Sequence, residues 1–143
     1  MAKRGTTAIL GTVPLFDGLS SRHLKRVGDI SEVGHFMPGA SIVREGDAGD
    51  SFFVVASGQA KVSVNGKTIR QLLPGDHFGE IALLDGGNRS ASVVSDTPMT
   101  LVEIKRTAFL KLVRQEPNIA LGILRSLARL IRQTERSAAR LNP

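Results

Sequence analysis

Cysteine, tryptophan and tyrosine are absent from this sequence of 143 residues, and its six phenylalanines are the only large aromatic side chains. Without cysteine the chain can form neither a disulfide nor a thiolate zinc site. No apolar run approaches the roughly 18 residues that a membrane-spanning helix needs, and residues 8–13 are too few and too interrupted for a secretory signal. These absences predict a cytoplasmic protein, and the length suits a single domain over residues 1–143.

Positive charge is concentrated near the C-terminus. Residues 1–102 hold ten Lys/Arg and ten Asp/Glu, whereas residues 103–143 hold nine Lys/Arg against three Asp/Glu, which accounts for the net charge of +6. Five arginines at spacings of three and four would share one side of a helix: Arg125, Arg129, Arg132, Arg136 and Arg140. A solvated helix face is the simpler interpretation. The alternative is a basic-helix adaptor that binds nucleic acid or an anionic membrane, although this stretch has no aromatic side chains for base stacking.

Glycine or proline interrupts residues 35–104 every eight to twelve residues, between short runs typical of β-strands. The densest apolar run covers residues 51–56. Asn65 and Gly66 separate two further runs, and this pair is a strong hairpin signal because both residues tolerate positive φ. Many short strands with regular turns predict an antiparallel sandwich or barrel.

Helical patterns flank the predicted strands. A short N-terminal helix, with Ser20 or Ser21 as its N-cap, is indicated by apolar residues three apart at Leu24, Val27 and Ile30. Residues from about 107 to 141 predict two C-terminal helices. The first of these should stop near Pro117, and Asn118 is the candidate N-cap of the second.

The segment from residue 78 to residue 93 combines several features of an anion-binding site. Gly79 precedes good helix formers, so the first backbone N–H groups of a short helix would be free for an anion that approaches closely. After a flexible turn, Arg89 could return to the same place with a fork of donors for phosphate oxygens. Glu80, an acceptor, suits a sugar hydroxyl. On spacing alone an equal alternative stays open, in which Arg89 merely pairs with Glu80 or Asp85.

This segment resembles the phosphate-binding cassette of the cyclic nucleotide-binding domain family, which includes bacterial catabolite activator proteins, protein kinase A regulatory subunits and cyclic-nucleotide-gated channels. The family pattern is Phe-Gly-Glu, an apolar residue, Ala-Leu, a variable turn, then Arg-Ser/Thr-Ala-Ser/Thr-Val, and every element is present from Phe78 to Val93. Further landmarks match at residues 15–19, 45–47, 52–55, 57–58 and 74–76, so the resemblance covers about residues 14–141. It implies a mainly β fold with flanking helices, an antiparallel double-stranded β-helix of the jelly-roll, cupin-like type.

The resemblance also implies a role for each matching residue. Glu80 would accept the ribose 2′-hydroxyl, Arg89 would pair with the exocyclic oxygen of the cyclic phosphate, and Ser90 would donate to the phosphate or to a purine edge. The other implied site residues are Phe78 and Gly79 of the cassette, the backbone donors near Ile81, Ala82 and Ala91, and the packing residues Val62 and Leu72.

The last helix carries a weaker pattern, an apolar seam formed by Leu124, Leu127, Ile131, Thr134, Ala138 and Leu141. Spacings of three and four are typical of contact between two helices, which favours a homodimer; packing onto the domain's own sheet is the equal alternative. The resemblance places Thr134 where catabolite-activator-like proteins bond the adenine amino group across a dimer. Glu135 stands where the family often has serine, and Leu130 is an alternative apolar lid for the purine.

These observations predict a cyclic nucleotide receptor or regulatory module with no catalytic activity and no cofactor. Cyclic AMP is the expected ligand, and cyclic GMP is the alternative because Ser90 can assist guanine in some family members. We expect binding to move the C-terminal helix and so to change a dimer or partner surface. The effector is unknown, and with an end at Pro143 we expect no DNA-binding domain in this chain.

A metal-dependent enzyme of the cupin type is the rival class. It would need clustered histidine and carboxylate ligands. His23, His35 and His77 are far apart in the sequence, and His77 has no second histidine at His-x-His spacing. Neither a Gly-x-Ser-x-Gly motif nor a cysteine nucleophile is present.

Overall fold

The computed structural model describes residues 3–141, and the side chains of residues 5–138. Helices α1 (Lys3–Leu10) and α2 (Ser21–Ile30), with a 3₁₀ helix at Pro14–Phe16 between them, come first, and α3 (Glu80–Asp85), α4 (Arg106–Gln115) and α5 (Pro117–Leu141) follow later. The strands are β1 (Glu32–Phe36), β2 (Ser41–Val43), β3 (Ser51–Ser57), β4 (Ala60–Val64), β5 (Lys67–Leu72), β6 (His77–Phe78), β7 (Ser92–Ser95) and β8 (Met99–Lys105). No helix within the described range is long and apolar enough to span a bilayer.

The strands form two four-stranded sheets with the orders β1-β8-β3-β6 and β2-β7-β4-β5. All of their pairings are antiparallel. Apart from β4 and β5, which are neighbours in the second sheet, successive strands alternate between the sheets, which is the arrangement of a jelly-roll. The predicted mainly β fold with flanking helices is therefore confirmed.

Strand β3 is buried on both faces, which explains its unusually apolar sequence. Alternate side chains of a strand point to opposite faces. Phe52 and Val54 pack with the helices in one hydrophobic cluster, whereas Phe53 and Val55 pack between the two sheets in a second cluster. A strand with cores on both sides has no polar face to alternate with.

The predicted hairpin is present between β4 and β5. Asn65 and Gly66 both have positive φ, 52° and 77°, as a two-residue primed turn requires. A register shift between Val62 and Ser63 then places Arg70 opposite Val62. Opposed residues of an antiparallel pair share a face, so this bulge decides which β5 side chain accompanies Val62.

The N-terminal region holds one helix more than predicted. Ser20 caps α2 as expected, because its Oγ accepts the backbone N–H of His23 at 3.1 Å. Helix α1 was not anticipated. Leu10 and Thr6 of α1 are buried, and a Cβ on Gly28 of α2 would lie 2.3 Å from Oγ1 of Thr7. Close packing on α2 therefore stabilises a segment whose own sequence is a poor helix former.

The start of α5 corrects one prediction. Asn118 is not its N-cap: the helix begins at Pro117, directly after Glu116, the C-cap of α4. Proline is favoured at the first helical position because its missing N–H has no intrahelical acceptor there. The first half of α5 packs inward through Ile119 and Ile123.

Candidate functional site

A cavity of about 520 Å³ opens between the edge of the second sheet and α3. This volume lies within the range of small-molecule sites. Ten of the eleven residues that the sequence singled out line it: Val62, Leu72, Phe78, Gly79, Glu80, Ile81, Ala82, Arg89, Ser90 and Ala91. The eleventh, Thr134, is not among the lining residues.

Two glycines shape the segment that forms one wall. Gly79 ends β6 with φ of +90° and is the N-cap of α3, and Gly86, with φ of +70°, ends that helix. The first backbone bond of α3 runs from the Leu83 N–H to the Gly79 carbonyl at 2.9 Å. The N–H groups of Ile81 and Ala82 precede it, so they have no acceptor within the helix, and both residues line the cavity.

The segment that follows α3, residues 87–89, is hydrogen-bonded to the turn that precedes β3. The Arg89 N–H donates to the Asp47 carbonyl at 2.7 Å, and the Arg89 carbonyl accepts from the Gly46 N–H at 2.9 Å. A third bond joins the Gly49 N–H to the Gly87 carbonyl at 2.9 Å. These backbone bonds fix the position of Arg89 independently of its side chain.

The guanidinium of Arg89 is buried beneath the cavity, with only 8% of the residue exposed. It donates to the Ser51 carbonyl at 2.7 Å and lies 5.9 Å from the centre of the Phe53 ring. The one carboxylate within ion-pair distance among the described residues is Asp50, at 3.9 Å and with 89% of its side chain exposed. Burial lowers the pKa of Arg89, yet arginine remains charged in proteins. The cavity therefore contains a buried cation that lacks a matching anion.

Space for this guanidinium depends on glycine at two positions. A Cβ at Gly79 would lie 2.5 Å from Nη1 of Arg89 and 2.6 Å from the Ser51 carbonyl. A Cβ at Gly49 would lie 2.3 Å from the Cβ of Ala82 and 2.7 Å from the Gly87 carbonyl. Any larger residue would therefore displace either Arg89 or α3.

The two intramolecular partners that the sequence offered for Arg89 are engaged elsewhere. Oδ1 of Asp85 accepts the Gly87 N–H at 2.7 Å and so closes the turn after α3. Oε1 of Glu80 lies 3.0 Å from Nδ1 of His77. The alternative in which Arg89 merely pairs with Glu80 or Asp85 is therefore wrong for this structure.

Glu80 and His77 form a half-buried ion pair at the cavity wall. Burial alone would raise the pKa of Glu80, but the contact with His77, its own backbone N–H and the positive charges of His77 and Arg70 outweigh burial and lower it. The pKa of His77 is raised, chiefly by the hydrogen-bond-length contact with Glu80, against the opposing effect of burial. The ring is not aligned for a regular hydrogen bond, so the contact is best described as an ion pair.

The opposite wall is apolar. Val62 and Leu72 are buried, and Phe78 stacks on Phe53 with ring centres 4.9 Å apart. Arg70, brought opposite Val62 by the bulge in β5, adds a guanidinium at the rim. The cavity thus combines a cationic end, a carboxylate and an apolar wall.

The outer half of α5 lies apart from this cavity. Thr134 is exposed, and its Oγ1 donates to the Leu130 carbonyl at 3.1 Å. Leu124 and Ile131 of the seam are 60% and 59% exposed, whereas Leu127 packs against the core. The seam is thus divided between the protein's own core and solvent, and its last side chain, Leu141, lies outside the described residues together with that of Arg140.

Sequence reasoning missed three contributors to the site. His77 was weighed only as a metal ligand, although its position three residues before Glu80, across a glycine, is a signal for contact. Arg70 depends on the bulge, because regular counting from the turn would place Ile69 opposite Val62. Gly49 carried no signal of its own, since its close neighbours come from residues 82 and 87.

Comparison with known proteins gives the same identification. Residues 33–116 match the family model described as cyclic nucleotide-binding domain. The chain is 41% identical over 97 residues to a cGMP-dependent protein kinase of Toxoplasma gondii, covering 68% of this chain and 10% of the kinase. It is 36% identical over 106 residues to a cAMP-dependent protein kinase regulatory subunit of Colletotrichum orbiculare, covering 73% of this chain and 27% of that subunit.

A solved structure, the N-terminal domain of a transcriptional regulator from Streptomyces coelicolor, superimposes with a TM-score of 0.81 at 25% identity. The match covers 88% of this chain and 94% of that one. The chain spans only about a tenth and about a quarter of the two kinase-related proteins. The family resemblance noted in the sequence is confirmed: the chain belongs to the cyclic nucleotide-binding domain family and is a regulatory module of that type.

Proposed function

We propose that the cavity binds a cyclic purine nucleotide through Arg89 at the phosphate and Glu80 at the ribose. The observation that carries this proposal is the buried Arg89 guanidinium, whose one carboxylate within ion-pair distance among the described residues, Asp50, lies at 3.9 Å and is solvent-exposed. A cyclic phosphodiester carries a single negative charge, and its oxygens match the fork of donors on arginine. Such a charge-assisted bond contributes about 1.5–3 kcal/mol.

The rest of the nucleotide is assigned to the remaining cavity walls. The backbone N–H groups of Ile81, Ala82 and Ala91 would add bonds to the phosphate, as would the hydroxyl of Ser90. Val62 and Leu72 would pack against the sugar and base, since their side chains form the apolar wall. Phe78 and Gly79 complete the frame, Phe78 by its stack on Phe53 and Gly79 by the space that it leaves for Arg89.

Cyclic AMP is the first candidate ligand, on the resemblance and on the name of the cAMP-dependent regulatory subunit among its relatives. An adenine contact by Thr134 would require a second copy of α5, since Thr134 does not line the cavity of its own chain. Thr134 therefore stays a prediction that depends on a dimer.

Cyclic GMP is a second candidate, and one structural feature favours it. Arg70 lines the cavity beside Val62, and arginine pairs readily with the O6 and N7 acceptors of guanine, which adenine matches only at N7. Calorimetric titration with both nucleotides into wild type and Arg70→Ala separates the two ligands. If cyclic GMP is the ligand, Arg70→Ala lowers its affinity selectively by about tenfold or more; an equal loss for both nucleotides contradicts a role for Arg70 in base selection.

Regulation would pass through α5. We propose that nucleotide binding moves this helix and changes a homodimer or partner surface, because Leu124 and Ile131 leave apolar area in solvent that a second helix could cover. Light scattering with and without nucleotide tests the homodimer, with Leu124→Glu as the disrupting variant. A monomeric mass both with and without nucleotide would contradict a homodimer formed through the seam.

The adaptor alternative depends on the exposed arginines of α5. Arg125, Arg132 and Arg136 are exposed, and Arg129 is paired with Asp17 at 2.8 Å. Salt-sensitive binding to DNA or anionic vesicles without cyclic nucleotide would support it. Absence of such binding at low salt would contradict the adaptor alternative.

A further inference from the structure

The ion pair between His77 and Glu80 stands outside the family pattern on which the site was recognised. His77 occupies the position directly before Phe78, and its neighbour across the sheet is Val54 of β3. Its ring lies 5.9 Å from that of Phe52, tilted by 38°. The imidazole is therefore held between an apolar core residue and the carboxylate at the start of α3.

Glu80 needs such a partner because of where it lies. As the first residue of a six-residue helix beside a cavity, its side chain has many rotamers that do not face a bound sugar. Nδ1 of His77 lies 3.0 Å from Oε1 and attracts it as an ion pair, and a carboxylate can accept bonds through its other oxygen. One oxygen is thus held by the protein while the other remains for a ligand.

We propose that His77 is a positioning residue that holds Glu80 for the ribose 2′-hydroxyl, so that nucleotide affinity depends on whether the imidazole is protonated. This inference rests on the proposed function. A protonated His77 completes the ion pair with Glu80, and a neutral one leaves the carboxylate weakly held.

Three charged groups surround His77. They are Glu80 on α3, Asp76 in the preceding turn and Arg70 on β5. The pKa of Glu80 lies below its ordinary 4.5. The pKa of His77 is raised above 6.5, so the ion pair is lost as the pH rises through that raised value.

The test is the dissociation constant of the preferred cyclic nucleotide, measured by calorimetry from about pH 6 to about pH 8.5, the range in which histidine loses its charge. For wild type we expect affinity to fall about two- to five-fold across this range, the effect of a partly exposed ion pair. His77→Asn, whose amide nitrogen replaces Nδ1 without titrating, should give a flat profile. His35→Asn is the matched control, because His35 is an exposed histidine on β1 that does not line the cavity; this variant should keep the wild-type slope.

Two further arms separate positioning from simple charge attraction. The 2′-deoxy analogue lacks the hydroxyl that Glu80 accepts, so its affinity for wild type should not vary with pH. In the free protein, the His77 imidazole should titrate above 6.5 by NMR, and Glu80→Gln should lower that pKa.

A wild-type profile as flat as that of His77→Asn overturns the role of His77 while leaving nucleotide binding intact. A pH slope retained with the 2′-deoxy analogue shows charge attraction to the phosphate in place of positioning and also overturns it. Failure of wild type to bind either cyclic nucleotide at any pH overturns the proposed function and this inference together.

Discussion

The cassette around Arg89 and the outer half of α5 both present arginine, but in opposite physical settings. Arg89 is buried, fixed by backbone bonds to the preceding turn and short of a matching anion. Arg125, Arg132 and Arg136 are in solvent, beside apolar side chains that are exposed as well. A buried charge is costly without a partner, so it indicates a ligand. An exposed row carries no such cost, and its role depends on molecules outside the chain.

The largest expected effect is on the buried side of this comparison. Arg89→Ala should weaken cyclic nucleotide binding by about 100-fold or more, because the phosphate would be desolvated without its counter-charge. The affinity of Arg89→Lys should lie between those of wild type and Arg89→Ala, since lysine keeps the positive charge but lacks the forked pair of donors. Arg114→Ala, which removes an exposed arginine from the last turn of α4, is the control and should bind like wild type. Equal affinities for all four proteins would contradict the account.

Two neighbours on α5 sharpen the contrast within one helix. Ile123 is 5% exposed and packs in the helical core cluster, whereas Leu124 is 60% exposed. In urea unfolding, Ile123→Ala should cost about 2–4 kcal/mol through a cavity, and Leu124→Ala should stay within about 0.5 kcal/mol. Similar losses for the two variants would mean that Leu124 is covered in the folded protein.

Two glycines with nearly equal φ separate backbone strain from crowding at the site. Gly75 and Gly79 have φ of +92° and +90°, but a Cβ at Gly75 meets nothing within 4 Å, while one at Gly79 meets Arg89. Both alanine variants should therefore carry the same strain of about 1–2 kcal/mol. In thermal unfolding, Gly79→Ala should lose about 1–3 kcal/mol more of the free energy of unfolding than Gly75→Ala, and it should bind nucleotide more weakly. Equal melting temperatures and affinities for the two variants would show that Arg89 and its neighbours move away from the new Cβ at no cost in free energy.

The smallest expected effect is the pH dependence of stability from the His77–Glu80 pair. The raised pKa of His77 makes its contribution complete below 6.5 and lost as the pH rises through the raised value. The lowered pKa of Glu80 makes its contribution complete above 4.5 and lost as the pH falls through the lowered value. The free energy of unfolding of wild type should exceed that of His77→Asn most between these values, by less than about 1 kcal/mol. A constant difference from acid to alkaline pH would argue against the pair.

Much of the fold could be predicted because local chemistry and tertiary structure agree. Asn65 and Gly66 have the positive φ that their side chains tolerate, and the double burial of β3 accounts for its unbroken apolar run. Helix α1 could not be predicted in this way. Gly5 and two β-branched threonines lower its helix propensity, and it is stabilised by long-range packing of Leu10 and Thr7.

The candidate site likewise contains residues that the sequence could predict and residues that it could not. The cassette is continuous in sequence, so Glu80 and Arg89 could be recognised together, and the glycines between them are needed for the turn. Arg70 could not be recognised in this way, because a single bulge in β5 places it opposite Val62 where regular pairing would place Ile69. The roles of Thr134 and of the α5 seam remain predictions, since one copy of the chain leaves Thr134, Leu124 and Ile131 in solvent.

The central claim, that Arg89 receives the cyclic phosphate, is tested most directly by the crystal structure of the complex with cyclic AMP or cyclic GMP. We expect the phosphate over Arg89, with guanidinium nitrogens within hydrogen-bond distance of its exocyclic oxygens, and the ribose 2′-hydroxyl on Glu80. A nucleotide bound in this cavity with its phosphate directed away from Arg89, or bound elsewhere on the protein, would contradict it.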